Sequence, residues 1–190
     1  LLHAIWRSAA LIFLGIFLRS LSRGQTYWTF DDTLTQLGLG YTFLFLLAYT
    51  SLRVQIAAFT TILVGFWLAF VLYPLPPEGF DYTQVGVQSG WPHLYSGFLA
   101  HFNKNSNLSW AFDVWFLNLF PREKPFLYNG GGWSTLSFIP TLATMMLGLW
   151  TGRWLMTSRT TAEKLKGLLI GGVALTHAGL ILQWLHINPI

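Results

Sequence analysis

Only 9% of the 190 residues are Asp, Glu, Lys or Arg and 53% are hydrophobic, where a soluble globular domain carries roughly 25% charged residues. The formal net charge of +4 comes from cations scattered between apolar runs. No basic tract with interleaved aromatics is present, so nucleic acid is not an expected partner. Cysteine is absent, which excludes disulfides, thiolate metal ligands and a cysteine nucleophile.

Four stretches, 33–51, 54–73, 134–152 and 167–186, contain no charged residue and run 19 or 20 residues each, about the length of helix that crosses a ~30 Å hydrocarbon core. A soluble helix of that length needs a polar outer face, and these have none. A fifth span is expected near the start, where 8–18 is charge-free and Arg7 can snorkel. The fold class is therefore all-α: a polytopic transmembrane bundle of about five spans. Residues 1–73 give three spans and 134–190 give two. Between them, 74–133 forms one long extracytoplasmic loop with a short interfacial helix. Thr33-x-x-Gln36 after Asp31-Asp32 has the form of a capping box at the start of the second span. Leu52 and Arg53 read as the whole link between the second and third.

Lys and Arg in short loops set the orientation. Arg53, Arg153, Arg159, Lys164 and Lys166 fall on one side with Arg7 level with them, and only Arg19 and Arg23 on the other. The first side is expected to be cytoplasmic, placing the long loop outside, in the periplasm or a lumen. That loop opens on Pro74-Leu75-Pro76-Pro77-Glu78-Gly79, which stops the third span. Its later part, 108–120, is aromatic and too short to span, so it is expected to lie along the membrane surface or over the helix ends. The chain begins without Met, in apolar sequence, and stops just after a span. It reads as the middle of a longer protein.

Gly148-x-x-x-Gly152 and Gly167-x-x-x-Gly171 put small residues on one helix face, a pattern that lets helices approach closely in lipid. Packing of the fourth span on the fifth is the favoured reading, with a homodimer seam as the other. His177 lies within the fifth span and is the candidate intramembrane functional residue, since ionisable groups are costly there. A single hydrogen bond to a neighbouring helix would also satisfy it. His3, His93, His101 and His186 form no ligand-spaced pair, so no metal site is expected. Asp81 and Asp113, both in the outer loop, suit a general base if buried and a solvated cap if not.

The most unusual local feature is Asn129-Gly130-Gly131-Gly132-Trp133-Ser134-Thr135. Three glycines free the backbone to turn tightly or approach a ligand. They stand just before a helix N-terminus, where free N–H groups favour an anion. A hinge accounts for them as well, and Ser134 or Thr135 can serve as an N-cap without any ligand.

The stretch Gly132-Trp133-Ser134-Thr135-Leu136-Ser137-Phe138-Ile139-Pro140-Thr141-Leu142-Ala143-Thr144-Met145-Met146-Leu147-Gly148 resembles the heparan-α-glucosaminide N-acetyltransferase-like family of transmembrane acyltransferases. Arg7-Ser8-Ala9-Ala10-Leu11 is similar to the family's Arg-led helix, and Thr33-Leu34-Thr35-Gln36-Leu37-Gly38 to a later helix start. Two departures stand out. Leu37 replaces a basic residue after Gln36, and Asn129-Gly130-Gly131-Gly132 replaces a turn that usually carries carboxylates. A bacterial branch with a different acceptor is implied, and with it a place in the bacterial inner membrane with the long loop in the periplasm.

The resemblance implies a larger bundle that takes acetyl-CoA from the cytoplasm and acetylates a sugar amine across the membrane. The family's catalytic histidine would fall upstream of Leu1, so no catalytic residue is assigned here. Gln36, Asp113, Asn129, Gly130, Gly131, Gly132 and Ser134 are the expected substrate-binding residues. No intrinsic cofactor is expected; acetyl-CoA would be the donor substrate. The competing reading is a non-catalytic accessory or scaffold subunit of a larger photosynthetic or respiratory membrane complex. Membrane lipids are partners under either.

Overall fold

The computed structural model describes residues 1–185 and 187; His186, named above at the end of the fifth span, lies outside them. Among the described residues six α-helices follow one another: α1 Leu2–Ser20, α2 Thr33–Ala48, α3 Leu52–Leu72, α4 Leu108–Leu117, α5 Phe138–Leu155 and α6 Thr161–Trp184. Short 3-10 turns cover Tyr82–Val85, Gly97–Phe102 and Thr135–Ser137, the last running straight into α5. Among the described residues there is no strand.

Among the described residues three helices, α1, α3 and α6, are long and apolar enough to cross a membrane. At 16 residues, α2 reaches only about 24 Å at 1.5 Å per residue. The 18 residues of α5 include Arg153.

The chain divides into two compact units, Leu1–Met146 and Leu147–Ile190. Within the first, α1 and α2 pack through glycine. A Cβ on Gly38 would stand 2.7 Å from Ile12 Cγ1 and 2.9 Å from the Ser8 carbonyl oxygen. One on Gly15 would stand 2.6 Å from Thr35 Cγ2. The Ser8 hydroxyl donates to the Gly38 carbonyl, tying the backbones together. On its other side α2 meets α5, where a Cβ on Gly40 would come within 3.0 Å of Met145 Sδ. Close backbone approach of this kind is what holds helices together when lipid removes the hydrophobic drive between them.

The expected capping box is displaced by one residue. Asp32, not Thr33, caps α2, accepting from Leu34 N at 2.9 Å and Thr35 N at 3.1 Å. Gln36 turns its amide to the Asp31 carbonyl instead, at 3.1 Å. The link between α2 and α3 also differs: it is residues 49–51, and Leu52 and Arg53 already form the first turn of α3. Fully buried Gln55 explains why. Its Nε2 donates to the Leu47 and Thr50 carbonyls at 2.9 and 3.0 Å, tying the last turn of α2 and the link to the first turn of α3.

The helix α4 packs over the bundle rather than lying free. Leu117 joins Ile16 of α1 and Phe30 in a buried cluster, and Phe120 stacks on Trp28 at 4.9 Å between ring centroids. A second aromatic contact, Phe102 parallel to Phe70 of α3 at 6.0 Å, seats the middle of the loop.

In the second unit, Thr160 and Glu163 form a reciprocal capping box at the start of α6. Gly167 faces Trp154, whose ring a Cβ would meet at 2.7 Å. The other small residues do not pack as expected: a Cβ on Gly148, Gly152 or Gly171 would meet nothing within 4 Å. His177 is exposed, and its Nδ1 lies 2.8 Å from the Val173 carbonyl of its own helix, not of a neighbour.

Candidate functional site

The amide of α4 that starts the site is Trp110 N, held by the Asn107 side chain at 3.1 Å. That cap sets the helix phase, so Ser109, Asp113 and Leu117, spaced four apart, share one face. All three are buried, Asp113 to 2% exposure. Both Asp113 carboxylate oxygens accept from the Thr135 N–H, at 3.2 and 3.0 Å. The helix N-terminus that the sequence offered to a ligand anion is thus occupied by the protein's own carboxylate.

Burial raises the Asp113 pKa from 3.8 to about 6. The Thr135 hydroxyl and N–H pull it down, Asp31 pushes it further up, and Arg122 lowers it. Desolvation dominates because the site supplies one N–H donor, where two or three would be needed to hold a carboxylate low. The Thr135 hydroxyl, though close enough to act on the charge, makes no hydrogen bond of acceptable geometry, and neither does the buried Ser109 hydroxyl. A buried hydroxyl without a partner, as at Ser109, is unusual in a folded protein.

Ser109 and Asp113 open on a small polar pocket of about 10 Å³, lined also by Asn105, Asn129, Gly132 and Ser134. Asn105, at φ 55°, donates to the Val85 and Asn129 carbonyls at 2.8 and 3.0 Å. Asn is one of the few residues that enters the left-handed region at low cost. Asn129 in turn donates to Asp31 Oδ2 at 2.6 Å, and Thr29 to Asp31 Oδ1 at 2.6 Å. Gln36 completes the network, bound to the Asp31 backbone and accepting from Thr141 of α5 at 2.9 Å.

The triple glycine is a braced turn. Gly131 N–H donates to Asn129 Oδ1 at 2.8 Å, and the Lys104 ammonium donates to the Gly130 carbonyl. Only Gly132 has a left-handed φ, 79°, where a side chain would be strained. Ser134 caps nothing; its hydroxyl pairs with Ser137 at 3.0 Å.

Of the seven expected substrate-binding residues, Asp113, Asn129, Gly132 and Ser134 line one pocket. Gln36 reaches it only through Asp31, and Gly130 and Gly131 shape the turn from outside the lining. His177 belongs to the other unit. Asp81 is exposed and caps a 3-10 turn, its pKa lowered by hydrogen bonds from the Thr83 hydroxyl and N–H and from Gln84. No group of three potential metal ligands exists among the described residues. Sequence reasoning missed Asp31, Asn105 and Ser109; Thr135, read there as a possible N-cap, instead donates its N–H to Asp113. The i, i+4 pairing of Ser109 with Asp113 on an otherwise apolar helix was the one signal that could have revealed part of them.

A larger cleft of about 320 Å³ lies alongside, between residues 23–28 and 121–128, and Phe126 lines both cavities. The chain matches no protein-family model, no curated protein and no solved structure.

Proposed function

We propose that this chain is part of an integral membrane acyltransferase that passes an acyl group from acyl-CoA to a sugar-type acceptor, with α4 and the Asn129–Gly132 turn forming the acceptor mouth. One observation carries the reading: a buried carboxylate, Asp113, with its pKa raised to about 6, in a polar pocket where the Ser109 hydroxyl lacks a partner. A carboxylate of that pKa is largely ionised at neutral pH yet basic enough to take a proton, the balance general-base catalysis needs. An acceptor O–H or N–H would give its proton to Asp113 while its heavy atom bonds to the acyl carbon. The thioester C–S bond breaks, and the proton finally neutralises the departing thiolate. The pocket of about 10 Å³ admits only the reacting hydroxyl or amine of the acceptor. The donor-side catalytic residue implied by the family resemblance has no counterpart among these residues.

The topology completing this reading has five spans, with α2 and α5 crossing alongside the three longer helices, and the loop facing the periplasm. The absence of cysteine makes it directly testable. A cysteine at exposed Ser89 should react with a membrane-impermeant maleimide in intact cells, and one at exposed Ser158 only after lysis. The opposite pattern would overturn the orientation.

The scaffold reading keeps one observation in its favour. No residue of α6 is buried, as expected of a helix surrounded by lipid or by other subunits. Isolation of the native protein in a stoichiometric pigment or haem complex, without acyl-CoA-dependent thiol release, would decide for it.

A further inference from the structure

The 320 Å³ cleft carries chemistry that acyl transfer does not require. Three cations, Arg23, Arg122 and Lys124, line it against the single carboxylate of Glu123. None of the three cations forms a direct salt bridge among the described residues, although Arg122 acts on Asp113 from a greater distance. The two guanidiniums share one ring: Arg23 Cζ lies 4.3 Å from the Tyr27 centroid and Arg122 Cζ 5.5 Å from it. Arg122 also lies 5.4 Å from the Phe126 centroid, and its Nη1 donates to the Trp28 carbonyl at 2.8 Å. Stacking and that bond fix the guanidinium planes in advance, so little freedom is lost when they bind. Two like charges held on one ring repel each other, and a shared anion converts that repulsion into two charge-assisted contacts.

The cleft's position narrows the anion. The apolar α1 ends at Ser20, and Arg23 follows three residues later, at the level where a span meets headgroups. Tyr27, Trp28 and Tyr128 supply the aromatic character typical of that layer. From this arrangement we infer that the cleft is a binding site for a phosphate-bearing ligand at the membrane surface, an anionic phospholipid headgroup or a free phosphorylated solute. Arg23 and Arg122 grip the phosphoryl oxygens, Lys124 adds a third charge, and Tyr27 with Phe126 packs the substituent. The volume is at the lower end of the range for small-molecule sites, enough for a phosphate with a small head.

Native mass spectrometry of the full-length protein released from detergent tests this, with phosphatidylglycerol, phosphatidylcholine and inorganic phosphate added separately. The wild type should retain phosphatidylglycerol in preference to phosphatidylcholine, whose ammonium group the cations repel. In Arg23→Gln/Lys124→Gln, whose side chains make no hydrogen bond in the fold, retention should weaken about tenfold or more, as expected when charged contacts are removed. Tight retention of inorganic phosphate that displaces the lipid would assign the site to a free phosphorylated ligand. Equal retention of both lipids without phosphate binding, or an unchanged preference in the double variant, overturns the inference. Asp113→Asn should leave the preference intact, so failure here is distinguishable from failure of the acyl-transfer reading.

Discussion

Asp113→Asn should abolish acyl transfer without unfolding the protein. Loss of a positioned general base typically costs about 10²–10⁴ in rate, and an amide cannot take the acceptor's proton. Stability should move the other way. The folded-state pKa of Asp113, about 6, stands above its ordinary value of 3.8, so the native protein binds this proton more tightly than the unfolded chain does. The resulting contribution to stability is fully present below pH 3.8 and is lost as the pH rises to about 6. At neutral pH the wild type carries a penalty on the order of 3 kcal/mol. Asn removes that penalty, and its Oδ1 can still accept from Thr135 N–H. Thermal unfolding in detergent should therefore show Asp113→Asn at least as stable as wild type at pH 7.5. Between pH 7.5 and 5 the wild type should gain stability relative to the variant. Wild-type acyl transfer should rise with pH through about 6 as the carboxylate ionises. An Asp113→Asn protein that melts well below wild type at pH 7.5, or one that retains full activity, would remove the basis for the proposed role.

Gly38→Leu should be the most damaging substitution in the bundle. The atoms nearest a new side chain there include the Ser8 carbonyl oxygen at 2.9 Å and the Ile12 nitrogen at 3.0 Å. Both are helix backbone, which cannot step aside as a flexible side chain can. Overpacking of this kind costs about 1–3 kcal/mol, and separating α1 from α2 also breaks the Ser8–Gly38 hydrogen bond. Gly148→Leu serves as the control, since its Cβ meets open space; its melting temperature should stay close to wild type. Comparable losses in the two variants would show that the face around Gly148 is covered by another molecule in the purified protein, and would return the homodimer seam to consideration.

The contrast between those glycines shows where sequence reasoning stops. Gly148-x-x-x-Gly152 has the spacing associated with close helix contact, but spacing says only that a face is small. The contact itself forms through Gly15 and Gly38, single glycines with no motif around them, because α1 and α2 meet at Ser8 and Thr35. The cap of α2 shifted from Thr33 to Asp32 for a related reason. Two adjacent acidic residues were both available, and Asn129, which lies 98 positions along the chain from Asp31, engages one and leaves the other to cap.

Hydropathy sums over neighbours in the chain, so the apolar helices and the break at Pro74 were legible from the sequence by itself. The all-helical character follows from the same local rule, as lipid leaves each backbone polar group to find its partner within its own helix. Asp113 was legible as a loop aspartate and a substrate-binding candidate, but not as a buried group. Its counterpart Asp81 remained a solvated cap, while Asp113 was enclosed by Thr135, Asp31 and the Asn129 turn, and desolvation by those distant segments raised its pKa. The pairing of Arg23 with Arg122 across one tyrosine ring was equally beyond local reading. Charge environment depends on what folds over a group, and only the tertiary structure decides that.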